Sequence, residues 1–515
     1  MRSVLMFGWL GAALLCASDT YPPPRFIDAD RVRKLEGAMP AVDQVFRQYA
    51  SVRKIPGMVW GVVIDGKLAH FASSSREFDA DSVFRIASMT KSFTALAILK
   101  LRDEGKLSLE DPVSKWIPEF ARMELPTRDS APLRIRNLMS HSAGFPEDNP
   151  WGDQQLSATA TELTAWLQRG IPFSTAPDTR YEYSNYAFGL LGRIVGKAAR
   201  VPYDKYVQRE ILAKLGMASS TLEYATVPVA KRVKGFRLQP DGKYLEEVRL
   251  PHGVFGAMGG MLTSGNDMGK YVAWHLSAWP PRDDGETGPV RRSSVREMAH
   301  LWTPANLTAR GGQVSESGYG YGLRITSDCR FEHIVGHGGG LPGYGSYMMW
   351  LPEYGVGLFA MANLTYVGPS GPINDALGIM QKTGALQKRE LPPSPVLTTM
   401  RDRIANLWKR WDAAEAKDIA AVNFFLDTPE PQRRAEIQKL KDEVGECQAP
   451  GPLRAENWLR GQFNMSCAKG TAGAFFTLAP TQPPKLQHLE FRRLDSPTVT
   501  MGAPTGAPAG VSCRQ

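Results

Sequence analysis

Two apolar runs near the start of the chain, MVWGVVI (58–64) and LAHFAS (68–73), flank the turn tripeptide Asp65-Gly66-Lys67. Short apolar runs around an Asp-Gly turn predict a pair of hairpin strands. The pattern then changes: for roughly two hundred residues apolar positions recur at helical spacing, broken by Pro and Gly clusters. SFTALAILKLRDEGKL (92–107) is the clearest case. Phe93, Leu96, Ala97, Leu99 and Leu101, with no Gly or Pro before Gly105, predict a buried helix of about three turns and a Gly stop. PPRDDGETGPVRRSS (280–294) has no such period and reads as a surface insertion. Strand character returns in FEHIVGHGGG (331–340) and in YGSYMMWLPEYGVGLFAMAN (344–363), which turns at Pro352–Gly355. A last helix near 373–384 closes this stretch. Strands at both ends with helices between them predict an α+β fold: one antiparallel sheet built from the two chain ends, plus a helical lobe. A ligand cleft is expected between sheet and lobe.

KRELPPSPVLT (388–398) reads as a linker. Beyond it Ile404, Leu407, Trp408 and Trp411 fit one helical face, and a charged helix covers 430–444. The runs NWLRGQFNMSC, GAFFTLAP and KLQHLEFRRL then predict strands, the last with imperfect alternation. Residues 399–515 are therefore expected to form a small α+β domain, one that carries no readable chemistry and no repeats.

The extreme N-terminus changes the compartment. A basic Met1-Arg2, an apolar run from Val4 to Leu15 too short to cross a bilayer, and the small residues of Cys16-Ala17-Ser18 predict a cleaved secretory signal over 1–18. Bulky Leu15 directly before Cys16 argues against a lipoprotein anchor. The mature chain is expected to be exported, periplasmic or secreted, with its main domain over 19–387. Export leaves Cys329, Cys447, Cys467 and Cys513 in an oxidising compartment with three possible connectivities. Cys447 and Cys467, close together in one small domain, are the preferred pair.

Composition is that of a globular protein, 43% hydrophobic and 22% charged over 515 residues. The net charge of +9 is spread without a Lys/Arg run, which gives nucleic-acid binding no support. His333 and His337 lack the H-E-x-x-H glutamate, so neither a metal nor another cofactor is expected.

One candidate for chemistry is Ser88-Met89-Thr90-Lys91. The spacing alone says little, since Ser51 and Lys54 share it; there, however, Ile55-Pro56-Gly57 breaks the helix and points Lys54 into a loop. Ser88 instead opens the buried helix and Lys91 lies one turn along the same face. The amine can reach the hydroxyl, and the helix start favours a developing oxyanion. Tyr183-Ser184-Asn185 before an apolar helix, and His337-Gly338-Gly339-Gly340 at a strand, complete the set. Each alone is more often a cap, a turn or a packing residue.

In this order the three motifs resemble the serine β-lactamase and penicillin-binding protein superfamily, specifically its class C-like branch of β-lactamases, D,D-peptidases, D-aminopeptidases and esterases. IPGMVWGVV, IRNLMSHSAGFP, AMGGMLTSGNDMGKY and YGYGLRI fit it too, and the resemblance covers roughly 35–385. It implies a β-lactamase/transpeptidase-like fold and a serine hydrolase that forms an acyl-enzyme on Ser88. Lys91 is then a base if burial lowers its pKa. Tyr183 is a second base, its phenol biased toward phenolate by a facing ammonium, or an acid for the leaving group. Asn185 would hold Lys91 and a substrate amide. The backbone N–H groups of Ser88 and Gly340 would form the oxyanion hole, and Gly338, Gly339 and Gly340 would let a substrate approach the strand edge. His141, in SHSAGF, is expected to be a structural hydrogen-bonder. His337 stands where class C β-lactamases carry Lys; a neutral imidazole there would offer a substrate carboxylate only a hydrogen-bond donor. D-peptides, small esters and β-lactams, cell-wall-derived ones among them, all remain open as substrates. A catalytically idle binding module on the same fold is the alternative.

Overall fold

The computed structural model describes residues 21–310 and 313–495; the expected signal segment 1–18 and Cys513 lie outside the described residues. The chain divides into two compact units. The larger spans Asp28–Pro281 and Gly285–Lys388, and the described part of the smaller is mainly residues 389–495.

The larger unit is built on β1 (Met58–Ile64), β2 (Lys67–Ser73), β3 (Thr303–Arg310), β4 (Gln313–Tyr319), β5 (Arg324–Asp328), β6 (Ile334–Leu341), β7 (Tyr344–Leu351) and β8 (Val356–Ala362). They form one antiparallel sheet in the order β2-β1-β8-β7-β6-β5-β4-β3. The N-terminal hairpin thus joins the last strand of the unit, Met58 opposite Ala362 through Ile64 opposite Val356. Every residue of β1 is buried because the sheet is covered on both faces. Val59 and Val63 belong to the core of the helical lobe with Phe93 and Leu96. Met58, Trp60 and Val62 face a second core with Phe46 and Ile373 from the helices Met39–Val52 and Ser370–Lys382.

The hairpin β3–β4 is not signalled by apolar periodicity. It is the far edge of the sheet, and its polar runs leave Leu307 75% exposed, so no buried face imposes alternation. Two short antiparallel pairs also lie within the expected helical stretch, Val83–Arg85 with Leu262–Ser264 and Phe236–Leu238 with Tyr244–Glu246. The insertion at 280–294 ends in a helix, Arg292–Met298.

In the smaller unit a helix begins at Pro395, where Ser394 caps it through Leu397 N at 3.3 Å. It ends at Lys409, so Trp411 lies beyond it and donates to Glu430 instead. After the helix Glu430–Val444, strands β9 (Arg454–Asn457), β10 (Arg460–Cys467), β11 (Gly470–Leu478) and β12 (Leu486–Leu494) form an antiparallel meander. A bulge between Thr477 and Leu478 shifts the β11–β12 register, which accounts for the broken alternation of KLQHLEF. Cys447 and Cys467 are joined by a disulfide across a strand-like bridge, their Cα atoms 3.8 Å apart. Among the described residues no helix is long and apolar enough to cross a membrane.

Candidate active site

Ser88 sits in a single tight turn, Ala87–Met89, directly before the helix Thr90–Asp103. Ala87 holds φ at +50°, a left-handed conformation that a residue with a Cβ adopts only when its surroundings enforce it. Those surroundings are visible. Thr90 Oγ1 donates to Ala87 O at 2.6 Å, and Ser346 Oγ of β7 donates to Ile86 O at 2.9 Å. Strand β6 presses on the same turn: a Cβ on Gly339 would lie 2.2 Å from Ile86 O and 2.4 Å from Ser346 Oγ. Only glycine lets the strand come so close. Ser51 and Lys54 have no such setting; both are exposed beyond or at the end of their helix.

Lys91 is fully buried, and its Nζ donates to Ser88 Oγ at 3.1 Å, Asn185 Oδ1 at 2.6 Å and Met258 O at 3.0 Å. An ammonium has three protons, and each has one acceptor here. Burial lowers its pKa to about 7, against the opposing pull of Asp153 and Asp148. On losing a proton the amine keeps its bonds to Asn185 and Met258 and turns its lone pair to Ser88.

Tyr183 departs from the expected phenolate. Its ring is buried, and burial pushes its pKa well above the ordinary phenol value despite a hydrogen bond with the Ser88 side chain and the nearby Arg324. Lys91 Nζ lies 4.9 Å from the ring centroid, over the face of the ring. Desolvation outweighs these favourable charges, and Tyr183 stands as a neutral phenol.

Asn185 opens the helix Asn185–Ala199, with Ser184 as N-cap through Ala187 N at 3.2 Å. A loop unremarked in the sequence orients it. Asp148 accepts from Asn185 N at 2.6 Å and Tyr186 N at 2.7 Å, and Asn149 Oδ1 accepts from Asn185 Nδ2 at 2.5 Å. A carboxylate on two free N–H groups at a helix start suits the positive end of the dipole. His141 holds the preceding turn: its Nδ1 accepts from Ser184 N at 3.1 Å and its carbonyl from Glu182 N at 2.9 Å.

His337 also differs from expectation. Nδ1 meets Gly338 O at 2.5 Å and Nε2 meets Tyr319 OH at 2.7 Å. A carbonyl can only accept, so Nδ1 carries the proton and Nε2 accepts from the tyrosine. Burial, with Arg324 and Lys91 adding to it, holds the ring neutral. Both nitrogens are spent inside the protein, and no donor is left for a substrate carboxylate. A cation stands nearby instead. Arg324, opposite Gly336 on β5, is exposed in the cleft with its guanidinium 5.6 Å from the Tyr183 ring centroid. Among the described residues no carboxylate pairs with it; its neighbours are the phenols of Tyr181, Tyr183, Tyr319 and Tyr347. The signal was one arginine inside YGYGLRI, where the flanking residues carry the apolar pattern.

Ser88, Asp153, Tyr183, Arg324, His337 and Gly340 line one cavity of about 540 Å³, together with Gly338, Gly339 and Tyr366. The profile of the family described as Beta-lactamase matches residues 42–379, about two thirds of the chain. The chain belongs to the beta-lactamase family. Beta-lactamase-like protein 2 of Dictyostelium discoideum is 28% identical over 371 residues, covering 69% of this chain and 64% of that protein. The chain thus spans just under two thirds of the length of the first curated relatives it matches. Among solved structures, the octameric penicillin-binding protein homologue from Pyrococcus abyssi superposes with a TM-score of 0.58 at 21% identity, over 88% of this chain and 95% of that one. The D-stereospecific amidohydrolase from Streptomyces sp. gives a TM-score of 0.51 at 23% identity, over 68% of this chain and 98% of that one. At these identities the structural likeness speaks for the fold: an α+β unit with a large antiparallel sheet and a helical lobe, as its members have.

Proposed function

We propose that this beta-lactamase-family chain is an exported serine hydrolase acting through an acyl-enzyme on Ser88. The observation that carries the reading is the buried Lys91 amine, held on Ser88 Oγ with a pKa lowered to about 7. Lys91 takes the Ser88 proton as Oγ bonds to the substrate carbonyl carbon. The backbone N–H groups of Ser88 and Gly340 receive the oxyanion. The C–N or C–O bond then breaks, and the proton held by Lys91 passes through the Tyr183 hydroxyl to the leaving group. Water, deprotonated by Lys91, hydrolyses the Ser88 ester and restores the free hydroxyl. Tyr183 acts as a neutral relay in this scheme, and Lys91 does the work of the base.

Arg324 alters the substrate side. A neutral His337 would have disfavoured carboxylate-bearing substrates; a guanidinium in the cleft restores a fixed charge and a bidentate partner for one. Peptide-like amides with a free carboxylate are therefore favoured over neutral esters, and the similarity to a D-stereospecific amidohydrolase supports an amide substrate. The assembled contacts around Ser88 favour this over an idle binding module. The test is a fluorophosphonate or fluorescent penicillin probe with intact mass: one label per chain on the wild type, none on Ser88→Ala, and no change on Ser51→Ala. Labelling that survives Ser88→Ala rules the assignment out.

A further inference from the structure

Strand β6 lines the cleft from His337 to Gly340, about 10 Å of extended backbone. Arg324 is paired with Gly336 at one end. At the other end Tyr366 packs over Gly340, where a Cβ would lie 2.9 Å from its ring, and its hydroxyl donates to Asp153 Oδ2 at 3.2 Å. Asp153 is only 3% exposed, yet it lines the same cavity as Ser88 and Arg324. Among the described residues nothing donates to its Oδ1, and no Lys, Arg or His forms an ion pair with it. Lys91 is a nearby cation, but its three N–H bonds are spent on Ser88, Asn185 and Met258. The cavity that holds the Ser88 hydroxyl therefore also carries a guanidinium and a carboxylate, neither neutralised by an ion pair among the described residues.

We propose that this cleft selects short zwitterionic peptides, with the substrate ammonium on Asp153 and its carboxylate on Arg324. The inference rests on the acyl-enzyme reading of Ser88 and adds a specificity-determining residue to it. Charge also orients the substrate. The positive end of a peptide is its N-terminus, so the acyl part lies toward Asp153 and Tyr366 and the leaving amine toward Arg324. At no more than about 3.6 Å per residue, a chain that follows this stretch of β6 needs about three or four residues. A cavity of about 540 Å³ suits a ligand of that size. Burial also raises the Asp153 pKa to about 6, so a lone carboxylate there is costly and an incoming ammonium relieves the cost.

The test is a panel of alanine peptides of two to four residues, in L and D series, each with free ends, N-acetylated, C-amidated or doubly blocked. Turnover is followed at pH 8. Acetylation and amidation should each cut kcat/KM of the wild type, by roughly ten- to a hundredfold for one charge-assisted hydrogen bond. Asp153→Asn should erase the penalty for acetylation and keep that for amidation, chiefly through KM; Arg324→Gln should do the reverse. Fluorophosphonate labelling of Ser88 reports separately on the acyl-enzyme reading. If the wild type is not labelled, that reading falls and this inference with it. If it is labelled but free and acetylated peptides are handled alike, only the inference falls. Equal losses on free and acetylated peptides in Asp153→Asn would make Asp153 a positioning residue for Lys91 and overturn its role in specificity. The wild-type panel decides even if that variant does not fold.

Discussion

An ordinary lysine, with a pKa near 10.4, holds about one part in a few thousand as free amine at pH 7. At about 7, Lys91 holds half. The gain in available base is roughly a thousandfold, equivalent to about 4–5 kcal/mol of differential solvation at ~1.36 kcal/mol per unit. Acylation measured as kcat/KM should therefore fall on the acid side with a limb near pH 7, losing about tenfold for each further unit. Asp153, itself raised to about 6, titrates beside it, so the limb belongs to the pair. The two are separated by Asp153→Asn. Removing a carboxylate that helps retain the Lys91 proton should move the limb to lower pH and leave it present. Lys91→Arg, whose guanidinium stays charged, should lose about three orders of magnitude. A rate constant between pH 5.5 and 8.5, or a limb that vanishes in Asp153→Asn, would refute Lys91 as the base. Stability carries the same sign. The folded-state pKa lies below the unfolded value, so between about 7 and 10.5 the unfolded chain binds the extra proton and this group's contribution rises with pH. The burial penalty is absent above about 10.5, grows as the pH falls, and is complete by about 7.

The double change Lys91→Ala/Tyr183→Phe should cost little more than the worse single change in kcat, since a shared proton path gives non-additive losses; multiplicative losses would show independent roles. Gly339→Ala should abolish phosphonate labelling of Ser88 or slow it at least a hundredfold, because the new Cβ would sit 2.2 Å from Ile86 O; an unchanged rate would mean that β6 can move away from the turn. Reducing the Cys447–Cys467 bridge should destabilise the smaller unit by about 3 kcal/mol, given a loop of this length, read as a lower melting temperature with Ser88 labelling intact.

Ser88 and Lys91 were legible because they lie three residues apart across a helix start: Ser88 in the turn before it, Lys91 in its first turn. The apolar run after them declares that helix buried. Tyr183 and Asn185 were legible for a similar reason, as the entry to a second buried helix. What could not be read is everything that arrives from elsewhere in the chain. Asp148, Asn149 and Asp153 belong to EDNPWGD, a loop running into the one-turn helix Trp151–Gln154, whose polar residues have no period and whose partners are 36 or more residues away. His337 looked free to donate because Tyr319, which takes its Nε2, lies on another strand. For Tyr183 a facing ammonium can be inferred from the motifs, but the burial that overrules it cannot. Local pattern marks which atoms can react; the terms that set their charge are long-range.

The protonation of Lys91 is therefore a balance, and each side of it has an address. Burial, together with the charge of Arg324, favours the free amine, against the faces of the Tyr183 and Phe188 rings, 4.9 and 5.5 Å from Nζ, which favour the cation. Asp153 and Asp148 favour the ammonium. Neither acid touches Nζ; one holds the start of the Asn185 helix and the other faces the cleft. A substrate that places an ammonium on Asp153 would cancel part of its negative potential and so lower the Lys91 pKa at the moment a base is needed. Binding at the acyl end of the cleft and readiness of Ser88 for attack are then coupled through one carboxylate. That coupling is absent for a neutral ester, which leaves Asp153 as it was.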